Sequence, residues 1–405
     1  MNRDYFYGEP LDVGQNVQLM IDESTIEDRW DVQRRQNVPA KYAKNPVVMP
    51  DQPWEETIGG PSVLYDAEEG IFRMWYAVSD TTAHGYQYRT NQWDPKRHGY
   101  PYMVSYAESP DGMTWTKPVS SKRPYRDFEQ TNIVLTGRSK AQGFRVRYSP
   151  KHMRKLGRFM IVFRDNIPQE GGNQLHMYFS DDGTDWRPFA ENPIYLNALD
   201  TDHSLIYDED NSRWLLYTRP NALSVNAALL SQQENVRTRV AVAVSKDLKQ
   251  WYDTREVICP DELDGPFFFD HMLVEKYGSH FLGFLAVAAR DADAKGHIEL
   301  VSSADGLRWD RAVSREPFIA PGREGDWDAG HIWQLKNIVE VGDWLYMYYA
   351  GAQRPWRYVF PENTRTIGLA RIRRDRFVGQ FADINGGFLL SRQLRVSGKR
   401  LLVNC

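Results

Sequence analysis

SPDGMTW (109–115), SDDGTDW (180–186), SKDLKQW (245–251) and SADGLRW (303–309) are four copies of one pattern. Each has Ser, then Asp two residues later, then a turn, then Trp. The tryptophans are 71, 65 and 58 residues apart. Asp-Gly pairs favour tight hairpin connections. Each copy follows an alternating strand: YMVSYAE, QLHMYFS, RVAVAVS and HIELVSS. Further upstream lies a more apolar strand: FRMWYAV (72–78), FMIVFRD (159–165), WLLYTRP (214–220) and FLGFLAV (281–287). A fifth such strand, WLYMYYA (344–350), leads to TIGLARIRRDRFVG, which reads as a strand and turn without the Trp.

Ahead of several of these pairs is another strand ending in a turn, as in PSVLYDAEEG (61–70) and SLIYDEDNS (204–212). The unit is three or four antiparallel strands, and it occurs five times. That predicts an all-β fold, a five-bladed β-propeller with an axial pocket. A single blade cannot bury both faces, and stacking around an axis buries them. The blades are expected at about 57–118, 143–190, 200–252, 268–312 and 328–378, within one domain over 1–405, with C-terminal strands at 379–405. VQLMID (17–22) and FLLSRQL…KRLLVNC (388–405) are expected to pair with each other or to complete a blade, latching the ring and covering edges. ALLSQQENVR (228–237) reads as a polar loop or short helix. A pair of β-sandwiches would not explain five similar units. A six-bladed ring would need 1–56 and 379–405 to build a whole blade.

Of the 405 residues, 41% are apolar, enough to fill a core, and the net charge is -4 with no basic tail. That balance argues against a nucleic-acid partner. No run approaches 18 apolar residues, so no membrane span is expected. MNRDYFYGEPLD lacks a basic region followed by an apolar one, so no signal peptide is expected and the cytoplasm is the default location. Cys259 and Cys405 allow one disulfide and no metal-ligand spacing. Aromatics are 13%. Most suit pleated, half-buried surfaces, and the remainder suit stacking on sugar rings. Homo-oligomerisation is left open.

In a propeller the innermost strand of each blade lines the axis, so chemistry is sought where those strands begin. The five starts carry Glu55 and Glu56, then Arg145 and Arg147, then Asp200, Asp202 and His203, then Asp270 and His271, and finally Asp326, Asp328 and His331. Asp and His also cap strand starts, but polar residues at one phase in all five blades point to a polar pocket. Glycoside hydrolysis needs one carboxyl that gives a proton and another that attacks or activates water. Glu56, Asp202, Asp270 and Asp328 are the catalytic candidates. Substrate-binding candidates are Trp54, Asp200, His203, Arg145, Arg219, His271, Arg290, Trp327 and His331. Asp66 and Asp208, and the set Asp111, Asp182, Asp247 and Asp305, repeat with the turns and read as turn residues. No organic cofactor is expected. The Asp-His pairs are compatible with a divalent cation, structural or axial, but no metal motif is present.

The segments NPVVMPDQPWE (45–55), GPSVLYDAEEGIFRMWYA (60–77), SYAESPDGMTW (105–115), YTR (217–219), SKDLKQW, SADGLRWDRA (303–312) and IGLARIRRDRFVG (367–379) make the chain resemble the five-bladed propeller glycosidases of the invertase, levansucrase and arabinanase superfamily. It is most similar to poorly characterised bacterial proteins that resemble the N-terminal domain of family 32 glycoside hydrolases. The resemblance covers about 45–380. It implies three axial carboxylates on different blades, acting as nucleophile or base, transition-state stabiliser and acid. The invertase motifs Trp-Met-Asn-Asp-Pro-Asn-Gly, Arg-Asp-Pro and Glu-Cys are missing, so fructose specificity is not implied. The expected function is glycoside hydrolysis of an oligosaccharide or glycoside in the axial pocket. The alternatives are a non-catalytic carbohydrate- or protein-binding propeller and a polysaccharide lyase using a His base and an Arg.

Overall fold

The repeated Ser-x-Asp pattern builds the same turn four times. Ser109 Oγ accepts the N–H of Gly112, and Asp111 Oδ1 accepts those of Met113 and Thr114. Ser180 with Asp182, Ser245 with Asp247 and Ser303 with Asp305 repeat these bonds. The fourth residue of each turn is left-handed, and in blade three Leu248 takes that place at φ 64°. The Asp residues repeat because they satisfy turn N–H groups, as expected.

The computed structural model describes residues 10–83, 98–167, 172–196, 202–219, 238–289, 295–311, 315–355 and 363–403. The protein is an all-β, five-bladed β-propeller. Blade one comprises Thr57–Asp66, Ile71–Ser79, Tyr102–Ser109 and Ile133–Leu135. Its outermost strand therefore lies beyond the expected limit at 118. Blade two comprises Gln142–Tyr148, Phe159–Ile167, Gly172–Ser180 and Arg187–Pro188, with Tyr195–Leu196 also paired to its third strand. Blade three is Ser204–Asp208, Arg213–Thr218, Val240–Ser245 and Trp251–Ile258. Blade four is Phe267–Tyr277, His280–Ala289 and His297–Ser303. Blade five starts with His331–Trp333 and Ile338–Val341, both paired to Trp344–Ala352, and continues with Arg365–Arg373. Its outer strand, Ala40–Lys41, comes from the N-terminal part of the chain.

The termini pair with each other, though not as the sequence suggested. Residues 17–22 form no strand. Leu19 and Ile21 instead pack into the core between blades four and five. Leu11–Gly14 runs parallel to Leu394–Val396, Ile26–Trp30 pairs with Phe388–Ser391, and Val32–Gln36 pairs with Val378–Ala382. Residues 228–237 and Cys405 lie outside the described residues. Cys259 is exposed. Among the described residues no helix is long and apolar enough to cross a membrane.

Five apolar clusters fill the five gaps between blades. Trp75, Phe144 and Phe159 lie between blades one and two, and Met160, Leu205 and Trp214 between two and three. Leu215, Phe269 and Phe281 follow, then Phe284, Leu345 and Met347. Phe72, Met74 and Tyr348 close the ring between blades five and one. The turns key into this packing. Trp75 Nε1 donates to Gly183 O at 2.7 Å, Tyr217 OH to Gly306 O at 2.8 Å, and Tyr348 OH to Gly112 O at 2.7 Å. Each bond joins a second strand to the turn of the next blade, and the last joins blade five to blade one.

The middle of the axis is filled by polar side chains from the inner strands. Arg145 is 3% exposed and donates to Ser204 Oγ, Val274 O and Glu275 Oε1. Ser62 Oγ donates to Asn337 Oδ1 at 2.7 Å. Lys336 Nζ donates to Phe144 O and lies 4.0 Å from the Phe144 ring centre. Arg145 is thus committed to the axial plug, which corrects its expected place as a substrate ligand. It reaches inward to carbonyls and a carboxylate that burial leaves in need of a donor.

Removing Arg145 would strand Glu275 and the Val274 carbonyl, so Arg145→Ala is expected to lower the unfolding free energy by about 3 kcal/mol, measured by urea denaturation. Burial pushes Lys336 down to about 8, against an opposing pull from Asp202 and with added repulsion from Arg145. The unfolded chain therefore holds this proton more tightly than the folded one. The stability tied to Lys336 is present above pH 10.5 and is lost as pH falls toward about 8. The stability difference between wild type and Lys336→Met should climb with pH across that window. A flat difference would refute the shift.

Candidate active site

Above the plug, blades three, four and five bring their strand starts together. In blade four the strand register slips between Phe269 and His271, so Asp270 is an extra residue at a bulge. Bulges re-aim side chains beside functional sites. Here consecutive Asp270 and His271 turn to one side, and His271 Nδ1 lies 2.8 Å from Asp270 Oδ2. The other ring nitrogen, Nε2, lies 3.9 Å from Asp202 Oδ2 of blade three. One imidazole thus stands between two carboxylates from adjacent blades, 7% and 6% exposed. The ring's width and the two contacts cap the distance between those oxygens at about 9 Å, inside the upper limit for paired glycosidase carboxylates.

The rest of the site orients this trio. Arg219 donates to Asp270 Oδ1 at 2.5 Å. Gln334 Nε2 donates to Asp202 Oδ2 at 2.6 Å, while Asp202 Oδ1 has no hydrogen bond among the described residues. Gln334 itself is left-handed, at φ 54°. Its side chain crosses toward Gly60, at φ 53°, where a Cβ would lie 3.0 Å from Gln334 Oε1 and 2.9 Å from Lys336 Nζ. A side chain there would crowd both atoms from a left-handed backbone that favours glycine. Trp333 forms a wall, its ring 5.5 Å from that of His271 and 4.4 Å from that of His331. His331 is 1% exposed. Burial first, then Arg365, His271 and His297, holds it well below the usual histidine range, so it is neutral.

The expected site residues divide. Asp202, Asp270, His271, Arg219 and His331 share the axial mouth, and His203 is buried at the start of the same blade-three strand. Glu56 stands apart on blade one, where its Oε2 accepts from the Thr81 N–H at 2.6 Å and hydroxyl at 2.7 Å. Trp54 is a core residue, not a sugar platform. Its indole donates to Asn132 Oδ1, and its ring meets Phe128 edge-on. Asp328 is drawn away from the axis by Lys41 Nζ at 2.6 Å and Tyr349 OH at 2.9 Å. Trp327 lies flat on Tyr349, over Gly351 and Gly368, and packs into the core between blades four and five. Both residues tie the outer part of blade five together. Asp200 and Arg290 lie outside the described residues. Among the described residues, no group of three His, Cys, Asp or Glu could hold a metal ion.

Sequence reading missed Gln334 and Arg365. Arg365 begins the third strand of blade five, whereas the sequence candidates lie at inner-strand starts and second-strand ends. The equivalent third-strand start in blade one, Tyr102, also faces Arg365.

No family model matches the chain, and no curated protein does. Solved structures do. A glycosyl hydrolase from Bacteroides ovatus aligns with a TM-score of 0.54 at 14% identity, over 84% of this chain and 95% of that one. A thermostable family-43 glycoside hydrolase aligns with a TM-score of 0.53 at 14% identity, over 85% and 97%. β-1,2-Mannobiose phosphorylase from Listeria innocua aligns with a TM-score of 0.51 at 14% identity, again over 85% and 97%. At these identities the likeness is one of fold. It shows the fold these structures share and does not single out family 32.

Proposed function

We propose that the protein cleaves a glycosidic bond in the axial pocket, with Asp202 and Asp270 as its two carboxyl groups. The observation that carries this reading is the pair itself: two buried carboxylates from adjacent blades flanking one imidazole. Asp270 accepts from a guanidinium, and a permanent cation favours the ionised form. Among the described residues Asp202 accepts a hydrogen bond only from the neutral amide of Gln334, and the acid role is assigned to it. In the proposed step Asp202 gives its proton to the glycosidic oxygen. Asp270 takes a proton from water, whose oxygen bonds to the anomeric carbon as the carbon–oxygen bond to the leaving group breaks. The cap of about 9 Å on the separation of the two carboxylates is compatible with single displacement and inversion. The fold shared with glycoside hydrolases supports the reading.

One observation favours a second reading. His271, with Nδ1 on a carboxylate, has the orientation of a general base, which would serve elimination from an acidic sugar.

Asp270→Asn should lower the turnover of 4-nitrophenyl glycosides by about 10³-fold. Asp202→Asn should do the same for alkyl glycosides. With aryl leaving groups the loss should be far smaller, because a good leaving group needs no proton. Equal losses on both substrate classes would overturn the assignment of roles. Unchanged rates in both variants would remove the hydrolase reading and leave a binding propeller.

A further inference from the structure

Arg365 opens the third strand of blade five, and its N–H donates to Thr57 Oγ1 of blade one at 3.2 Å. Its side chain passes Gly59, where a Cβ would lie 3.9 Å from Arg365 Cδ. A half-buried guanidinium therefore crosses the seam between the last and first blades at the pocket. Burial disfavours its charge, and Tyr102, Asp202 and Asp270 act against that penalty. Among the described residues, however, the side chain donates no hydrogen bond and forms no ion pair. His331, close enough to feel its charge, has neither ring nitrogen bonded among the described residues. Unmet donors from two strands thus meet at one place. Among the described residues the other cations at or below the mouth have bonded partners: Arg219 has Asp270, Arg145 has Glu275, and Lys336 has the Phe144 carbonyl.

We propose that Arg365 anchors a subsite for the carboxylate of a uronic acid, so that the protein takes an acidic sugar. A guanidinium presents a planar fork that matches a carboxylate at two points. A neutral sugar offers only hydroxyls and would leave the charge uncompensated in a partly desolvated site. Among the described residues Asp270 is paired with Arg219, whereas no carboxylate is bonded to Arg365. His331 stays neutral beside Arg365 and adds no second cation. This inference rests on the glycosidic reading in taking the occupant to be a sugar.

The test is isothermal titration of the full chain with D-galacturonate and D-glucuronate, set against D-galactose, D-glucose and inorganic phosphate. One hexuronate should bind at least tenfold more tightly than its neutral hexose. Arg365→Gln should weaken that binding by about 10- to 100-fold, with an unchanged melting temperature and no effect on hexose binding. Arg365→Lys, which keeps the charge but not the fork, should recover part of the loss. Asp270→Asn should bind the hexuronate at least as tightly as wild type. Equal binding of hexose and hexuronate would overturn the proposal. So would full affinity in a folded Arg365→Gln variant, or binding of phosphate in place of the hexuronate. Uronate binding with no turnover of any uronide would sink the hydrolytic reading and leave the subsite standing. Turnover of neutral glycosides with no preference for uronides would do the reverse.

Discussion

The ring is held in register by hydrogen bonds from buried aromatic side chains to the turns of the neighbouring blade. A buried indole N–H or phenol O–H needs a partner, and a sheet already bonded along its strands has few to spare. The Ser-x-Asp turn supplies one. Its Ser and Asp side chains take up the turn's own N–H groups, which leaves the glycine carbonyl facing the next sheet. Trp75, Tyr217 and Tyr348 each find that carbonyl in the following blade. Arg73 and Arg213 add to the same joint. Each is paired to an Asp of its own hairpin, Asp66 or Asp208, and each reaches a turn carbonyl across the gap. Tyr348 closes the circle. Its bond to Gly112 joins the first and last blades at a turn, while Ser62 to Asn337 and the Arg365 N–H to Thr57 join the same two blades elsewhere.

Register at the rim decides what meets at the axis. Because the blades are keyed at their outer turns, the inner strands begin at comparable height, and residues two blades apart can touch. Arg145 of blade two reaches Val274 of blade four, and Lys336 of blade five reaches Phe144 of blade two. These contacts form a floor that a ligand entering from the mouth cannot displace cheaply. They also bury cations, which costs free energy unless acceptors are close. Carbonyls and Glu275 supply those acceptors.

The repeat was legible because turn chemistry is local: Ser, Asp and Gly do the same work in each copy, so the pattern survives in the sequence. The blade count and the placing of Asp202, Asp270, His271 and Arg219 followed from it. Direction was not legible. Arg145 lies one residue from Val146, which faces the core, and strand alternation alone did not say whether Arg145 met the ligand or the plug. Asp328 and Trp327 precede the short strand His331–Trp333, and a few residues of loop were enough to carry both off the axis toward Lys41 and Tyr349. Trp54 looked like a platform because it neighbours Glu55 and Glu56, yet its indole was needed by Asn132. The bulge at Asp270 was invisible, since nothing in FFFDHMLV marks the slip. Arg365 escaped because a residue on a third strand reaches the axis only where the inner strand beside it lacks side chains. Gly59 and Gly60 provide that gap.

A contrast inside the molecule argues that the mouth was not shaped for stability. In the plug the terminal nitrogens of Arg145 and the Ser62 hydroxyl have acceptors, while Arg145 Nε has none among the described residues, and on the outer side of blade four Arg311 is held by Glu299 and Asp264. At the mouth, His331 has neither nitrogen bonded among the described residues, a deficit of about 1–3 kcal/mol per group. Packing could have removed it with an apolar side chain. Instead Gly296 is placed where any Cβ would overlap the imidazole, so the backbone itself makes room for His331. A few ångströms away Gly60 does the same for Gln334 and Lys336. Two backbone concessions at one rim, each made to admit a polar side chain, are hard to reconcile with a passive channel lining. They are what a site requires when its hydrogen-bonding capacity is completed by something that arrives from outside.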